Sequence, residues 1–268
     1  KRTALRQQGI VAPFTILISP TMRCNLRCIG CYAGEYSQKD DLPPEVMDRV
    51  LTEGKEIGVH MITLLGGEPL VYAPLLDLLA KHNDVAFMLY TNATLVDEDL
   101  AHRLLELRNV VPIISIEGFE EETDARRGKG AFQRAVRAMD VLREHRLAFG
   151  FSAMVTSQNI DTVASDRFND FLIEKGCLLG WHFLYMPVGR NPDVSLMPTP
   201  AQRERLRRLG AARIRTEKPL FIGDFWNDAP WVGGCIAGGR QYIHINSRGD
   251  VEPCIFCHFA TDNVKDKS

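Results

Sequence analysis

Short apolar runs alternate with helix-period segments six times along this chain, which restricts it to few folds. The runs cover residues 14–18, 61–65, 85–90, 110–116, 147–155 and 181–186. Between the first two, Pro43 and Pro44 open a helix in which Val46, Met47, Val50, Leu51 and Ile57 recur at helical spacing. The spacing predicts further helices over 70–82 (interrupted by Pro74), 97–107, 132–145 and 168–175. Such alternation implies an α/β fold of parallel strands joined by right-handed crossover helices. Periodicity alone leaves open whether the sheet is flat or curved into a barrel.

In parallel α/β folds, chemistry gathers at the carboxyl ends of the strands. The polar groups of this chain fall there: Cys24, Cys28 and Cys31 after the first run, Gly66, Gly67, Glu68 and Pro69 after the second, Thr91 and Asn92 after the third, Ser115 and Glu117 after the fourth, and 156–159 after the fifth. The three cysteines have C-x3-C-x2-C spacing. A structural zinc site takes four protein ligands. A four-iron cluster also has four corners, held by thiolates. Three local thiolates leave one corner for a non-protein ligand or for a residue from elsewhere.

The C-x3-C-x2-C run followed by Gly66-Gly67-Glu68-Pro69 resembles the signature of the radical S-adenosylmethionine (SAM) superfamily. The resemblance implies a partial (β/α)6 TIM-type barrel and a [4Fe-4S] cluster on Cys24, Cys28 and Cys31, with SAM on the open iron. It also implies reductive cleavage of SAM to a 5′-deoxyadenosyl radical that abstracts a substrate hydrogen. By the same resemblance, Gly66 to Pro69 meet the methionyl amino group, and Ser115 and Glu117, after the fourth run, meet the carboxylate or ribose; Thr91 and Asn92 are expected to bind the cofactor too, or simply to cap the loop that follows. Met186 lies near the adenine. Ser115-Ile116-Glu117-Gly118 is similar to the family's S-x-D-G, with Glu in place of Asp. Arg127 belongs to an R-G element common in relatives; as part of a charge run it also reads as a solvated loop. Many members have an aromatic residue before the last cysteine, whereas this chain has Gly30 there and Tyr32 after the cysteine.

A second cysteine group comprises Cys235, Cys254 and Cys257. The stretch between reads as a β-hairpin turning at Ser247 to Asp250, which would bring Cys235 back to the Cys254-x2-Cys257 knuckle. The arrangement resembles the start of a SPASM or twitch extension, which implies an auxiliary iron–sulfur cluster. A zinc knuckle of Cys235, Cys254, Cys257 and His258 is the competing reading. Cys177 stands alone and reads as a small buried hydrophobe.

Clustered cysteines suit metal binding in a reducing compartment, here the cytoplasm, better than a disulfide framework. A net charge of −2 gives no reason to expect nucleic-acid binding, and no apolar run reaches membrane-spanning length. The expected organisation is a barrel over 1–190, a helical or irregular connection over 191–230 with a basic helix at 200–215, and a small cysteine-rich hairpin extension over 231–268. The chain begins at Lys1 without Met and is expected to be a fragment at both ends. The resemblance implies a peptide or protein substrate, with a small metabolite or lipid as the alternative, and an electron donor such as flavodoxin or ferredoxin. A non-catalytic iron–sulfur or zinc scaffold is the reading from a different class.

Overall fold

Residues alternate between two environments along each strand, and this period of two builds the molecule. The computed structural model describes residues 1–35 and 40–267. Strands β1 (Thr15–Ile18), β2 (Met61–Leu64), β3 (Ala86–Thr91), β4 (Val110–Ser115), β5 (Gly150–Val155) and β6 (Leu179–Leu184) match the six apolar runs. One set of side chains, including Ile16, Ile62, Leu64, Phe87, Leu89, Ile114 and Phe151, is buried in the core. The alternate set, including Leu17, Met61, Met88, Tyr90, Met154, Trp181 and Phe183, lines an internal cavity. Each large apolar side chain buried in the core contributes about 1.5–3 kcal/mol.

The crossover helices supply the other side of that core. Met47, Val50 and Leu51 are buried on helix Pro44–Glu56, and Leu100, Ala101 and Leu104 on helix Glu98–Leu107. Ala135, Ala138, Met139 and Leu142 do the same on helix Ala131–Glu144, as do Phe168 and Leu172 on helix Asp166–Lys175.

Four local expectations change. The helix expected over 70–82 is a 3-10 turn, Pro69–Val71, followed by an α-helix, Leu75–Lys81, that starts just after Pro74. Proline lacks the amide a helix interior needs but suits its first turn. Arg126 and Arg127 end a helix, Glu120–Arg127, rather than lying in a loop. The basic helix divides at Gly210 into Pro200–Leu209 and Ala211–Glu217. Its arginines are ion-paired within the chain: Arg207 to Glu204, Arg213 to Asp166 and Glu217, and Arg215 to Asp228. Finally, the connection expected to be helical or irregular over 191–230 contains a strand, β7 (Phe221–Asp224), which pairs in parallel with β6.

The expected C-terminal hairpin forms as β8 (Tyr242–Ile245) and β9 (Asp250–Glu252), with β10 (Asp262–Asn263) beyond it. Its position was not legible in the sequence. β8 pairs in parallel with β1, Thr15 opposite Tyr242 and Ile18 opposite Ile245. The sheet order is therefore β10-β9-β8-β1-β2-β3-β4-β5-β6-β7. Strand pairing continues across residues 190 and 231, and the parallel part holds two strands beyond the six expected. β7 and β8 flank opposite ends of the parallel run without pairing, so the barrel is partial.

Candidate active site

The cysteine loop starts where β1 ends, at Ser19 and Pro20. It is pressed against the glycine turn after β2. Gly67 N donates to Thr21 O at 3.0 Å, and Glu68 N donates to Arg23 O at 2.8 Å. A β-carbon on Gly66 would lie 2.5 Å from Thr21 O, and one on Gly67 would lie 2.6 Å from the Arg23 carbonyl carbon. Gly66 also has a φ of +112°, a conformation that favours glycine. The far side of the loop is tied by Ile29 N to Arg126 O at 2.9 Å and by Arg190 N to Cys31 O at 3.0 Å. Gly30 is required by crowding: a β-carbon there would lie 2.5 Å from Tyr185 Cε2. An aromatic ring from the end of β6 thus fills the place beside the last cysteine.

Cys24, Cys28 and Cys31 line one wall of a cavity of about 300 Å³. Seven of the residues expected at the site join them there: Tyr32, Gly66, Gly67, Thr91, Asn92, Ser115 and Arg127. Asn92 Nδ2 lies 3.6 Å from Cys24 Sγ. Glu68, Pro69, Glu117 and Met186 are not among the residues that line the cavity. Glu68 is fully buried behind the turn. It accepts from Leu70 N at 3.1 Å, Thr91 Oγ1 at 2.8 Å and Asn92 N at 2.7 Å, and so fastens the turn to the end of β3. Burial pushes its carboxyl above the usual range despite those donors. Pro69 is buried at the start of the 3-10 turn. Met186 lies two residues past β6, in a turn closed by Val188 N to Met186 O at 2.8 Å.

Glu117 is buried one layer deeper. Its Oε1 accepts from Arg126 Nη1 at 2.6 Å and Arg127 Nε at 2.7 Å, and its Oε2 from Met154 N at 2.7 Å. The extra methylene relative to Asp lets the carboxylate reach both arginines. Burial alone would raise this carboxyl, but the Arg127 and Arg126 guanidiniums outweigh it and hold it below the usual range. Burial likewise opposes the charge on Arg127, yet Glu117 and the nearby Cys28 and Cys31 thiols raise its affinity for the proton. Arg127 is thus a largely buried cation, paired with Glu117, on the lining of the same cavity as the cysteines.

The rest of the cavity is apolar, and the sequence reading missed it. Trp181 and Phe183 point inward from β6. Phe183 meets Phe225 in a tilted pair at 5.6 Å between ring centroids, and Phe225 meets Tyr242 on β8 likewise at 6.1 Å. Trp226 meets Phe256 at 5.7 Å, and Phe256 meets Tyr32 at 5.8 Å. These rings close the seam between β7 and β8. The alternation of Trp181 and Phe183 was a readable signal; the residues after β7 carried none.

Phe256 sits inside the second cysteine knuckle, where Cys257 N donates to Cys254 O at 2.9 Å. The Tyr242 hydroxyl lies 3.2 Å from Cys254 Sγ. Burial pushes the Cys254 thiol up, the Tyr242 hydrogen bond opposes it, and Cys235 and Cys257 are close enough to add to the rise. The three thiols thus share one electrostatic neighbourhood. His258 Nε2 faces Ile255 O at 3.1 Å.

Cys24, Cys28, Cys31 and Arg127 all line this cavity; three thiolates with a cation nearby are the chemistry of a cluster with one corner left for an anionic ligand, although among the described residues the thiols are not drawn together into a closed metal-binding group. The Radical SAM superfamily profile matches residues 18–166, which run from the last residue of β1 past the end of β5. The chain belongs to the radical SAM superfamily. Membership implies a [4Fe-4S] cluster and SAM. Among curated relatives, mycofactocin maturase MftC of Mycobacterium tuberculosis is 31% identical over 96% of this chain and 69% of its own length. The AdoMet-dependent heme synthase of Methanosarcina barkeri is 28% identical over 96% of this chain and 80% of its own. Among solved structures, Streptococcus suis SuiB bound to S-adenosylmethionine superposes with a TM-score of 0.82 at 21% identity. That likeness covers 99% of this chain and 67% of SuiB, and it shows that this radical SAM chain shares the SuiB fold. Among the described residues, no helix is long and apolar enough to cross a membrane.

Proposed function

We propose that this radical SAM enzyme modifies a peptide or protein side chain. Cys24, Cys28 and Cys31 hold the catalytic cluster in this reading. Bound there, the cluster and SAM supply a 5′-deoxyadenosyl radical that removes a hydrogen atom from substrate. Gly66 and Gly67 let the SAM-binding turn approach the cysteine loop. Asn92, Ser115 and Arg127 orient the methionyl and ribose groups, and Arg127 offsets the SAM carboxylate. Glu68 and Glu117 act from behind, fixing Asn92 and Arg127.

The observation that carries the reading is the convergence of three thiols, Arg127 and the crowded glycine turn on one cavity. Its opposite wall is aromatic and aliphatic, which excludes water and favours an uncharged side chain next to the reacting centre. A maturase relative and a structural neighbour solved with its precursor peptide support the peptide class. The small-molecule alternative has its own support in the heme synthase relative. We assign Cys235, Cys254 and Cys257 to an auxiliary iron–sulfur cluster in the 231–268 extension, with zinc as the alternative. The electron donor is a flavodoxin or ferredoxin, and the compartment is the cytoplasm.

Anaerobic reconstitution, reduction and addition of SAM, with 5′-deoxyadenosine and bound iron and zinc measured, tests the reading. Deoxyadenosine that disappears in Cys28→Ala is the expected result, with iron for two clusters. Zinc without SAM binding overturns it.

A further inference from the structure

The C-terminal hairpin reaches the back of the glycine turn through a chain of buried polar groups. Ser19 Oγ lies 2.7 Å from His244 Nε2, and His244 Nδ1 lies 2.7 Å from Glu252 Oε2. Asn246 Nδ2 donates to the other carboxylate oxygen, Glu252 Oε1, at 2.9 Å. Ser19, His244 and Asn246 have no exposed surface, and Glu252 is 1% exposed. A neutral histidine suits the chain. A neutral imidazole donates from Nδ1 to Glu252 and accepts at Nε2 from the Ser19 hydroxyl. Buried polar groups left unpaired are strongly unfavourable, so this network holds one geometry.

Its far end touches the SAM-binding turn. A β-carbon on Gly66 would lie 2.9 Å from Ser19 Cβ and 3.2 Å from Ser19 Oγ. The Ser19 amide donates to Ile245 O at 2.9 Å, while Leu65 N donates to Ile18 O at 3.0 Å. Ser19 is therefore held between β8 on one side and the glycine turn on the other. None of the four side chains lines the cavity, so none meets substrate.

We propose that Ser19, His244 and Glu252 are positioning residues through which the hairpin carrying Cys254 sets the conformation of the Gly66-Gly67 turn. SAM binding is thereby coupled to the second cysteine site. The SAM half rests on the function proposed above; the mechanical coupling does not. Ser19→Ala removes one oxygen and keeps every backbone pairing of β1. Glu252→Ala removes the far end. Glu252→Gln keeps these contacts with their direction reversed: the amide donates to Nδ1, Nε2–H donates to Ser19, and the carbonyl accepts from Asn246.

Hydrogen exchange of the metal-free protein reads the turn directly, at the Gly67 and Glu68 amides. SAM titration of the reconstituted enzyme reads binding. We expect Ser19→Ala and Glu252→Ala to speed exchange at both amides and to weaken SAM about tenfold, and Glu252→Gln to restore wild-type behaviour in both. Unchanged exchange at Gly67 and Glu68 in Ser19→Ala overturns the coupling, as does a Glu252→Gln protein no better than Glu252→Ala. If Glu252→Ala does not fold, Ser19→Ala decides. A wild-type protein that binds no SAM defeats the proposed function and leaves the exchange result to judge the coupling alone.

Discussion

Glu117→Gln removes the carboxylate that both Arg126 and Arg127 bind and leaves the local shape intact. The Glu117 side chain is wholly buried, and those of Arg126 and Arg127 are each 12% exposed. Taking away one partner of a buried ion pair destabilises by about 3–5 kcal/mol. Gln retains an acceptor oxygen, which puts the expectation near the lower end, about 3 kcal/mol. For a chain of this size each kcal/mol moves the melting temperature by roughly 2–4 °C, so the expected fall is about 6–12 °C. The sign with pH is fixed by the depressed carboxyl. Its contribution is present above the ordinary glutamate range and is lost as pH falls through the lower folded value. Thermal unfolding of the metal-free protein, measured from neutral pH into acid, should show a wild-type advantage over Glu117→Gln that shrinks through that window. Glu117→Asp withdraws the oxygens by about 1.5 Å, one carbon–carbon bond. That takes the 2.6 Å contact to Arg126 beyond hydrogen-bond reach, so this variant should fall between the other two. Equal melting temperatures, or a difference that does not change with pH, would refute the assignment of Glu117 as the counter-ion of these arginines.

Gly67→Ala forces the turn away from the Arg23 carbonyl group; about 1–3 kcal/mol of stability should be lost, and calorimetry should show SAM binding weakened with it. Cys177 is 2% exposed and burial pushes its thiol up to about 12. In the folded metal-free protein at mildly alkaline pH, iodoacetamide should label it last, and rapid labelling read by peptide mapping would contradict its burial. Asp228 accepts both ends of the Arg215 guanidinium, at 2.7 and 2.8 Å, with both side chains less than a quarter exposed. Asp228→Asn should lower stability by about 1–3 kcal/mol in urea unfolding without altering cofactor loading.

Six strands were legible because each is a short apolar run set between helix-period segments, and it is apolar throughout because one row of side chains packs in the core and the other lines the cavity. The cysteines and glycines were legible because their chemistry is local in sequence. What stayed hidden depends on long-range pairing. Nothing in Tyr242 to Ile245 announces that its partner is β1, and the run ending at Asp224 is too short to declare itself a strand. Glu117 was misplaced for a related reason. Strand alternation puts Ser115 and Glu117 on one face, but β4 ends at Ser115, and past that point the backbone turns the carboxylate inward to the arginines. Arg126 and Arg127 read as surface charge because their counter-ion comes from the end of a different strand.

The pairing of β1 with β8 has a consequence for how the chain is made. Thr15 emerges from the ribosome before its partner Tyr242, which follows roughly 230 residues later, and contacts so distant in sequence close slowly. Until then β1 carries an open edge of amides and carbonyls beside a trio of reactive thiols. An open strand edge invites pairing with another chain. The nascent protein is thus open to aggregation through this edge over that interval, and arrival of the β8–β9 hairpin ends the exposure of the edge.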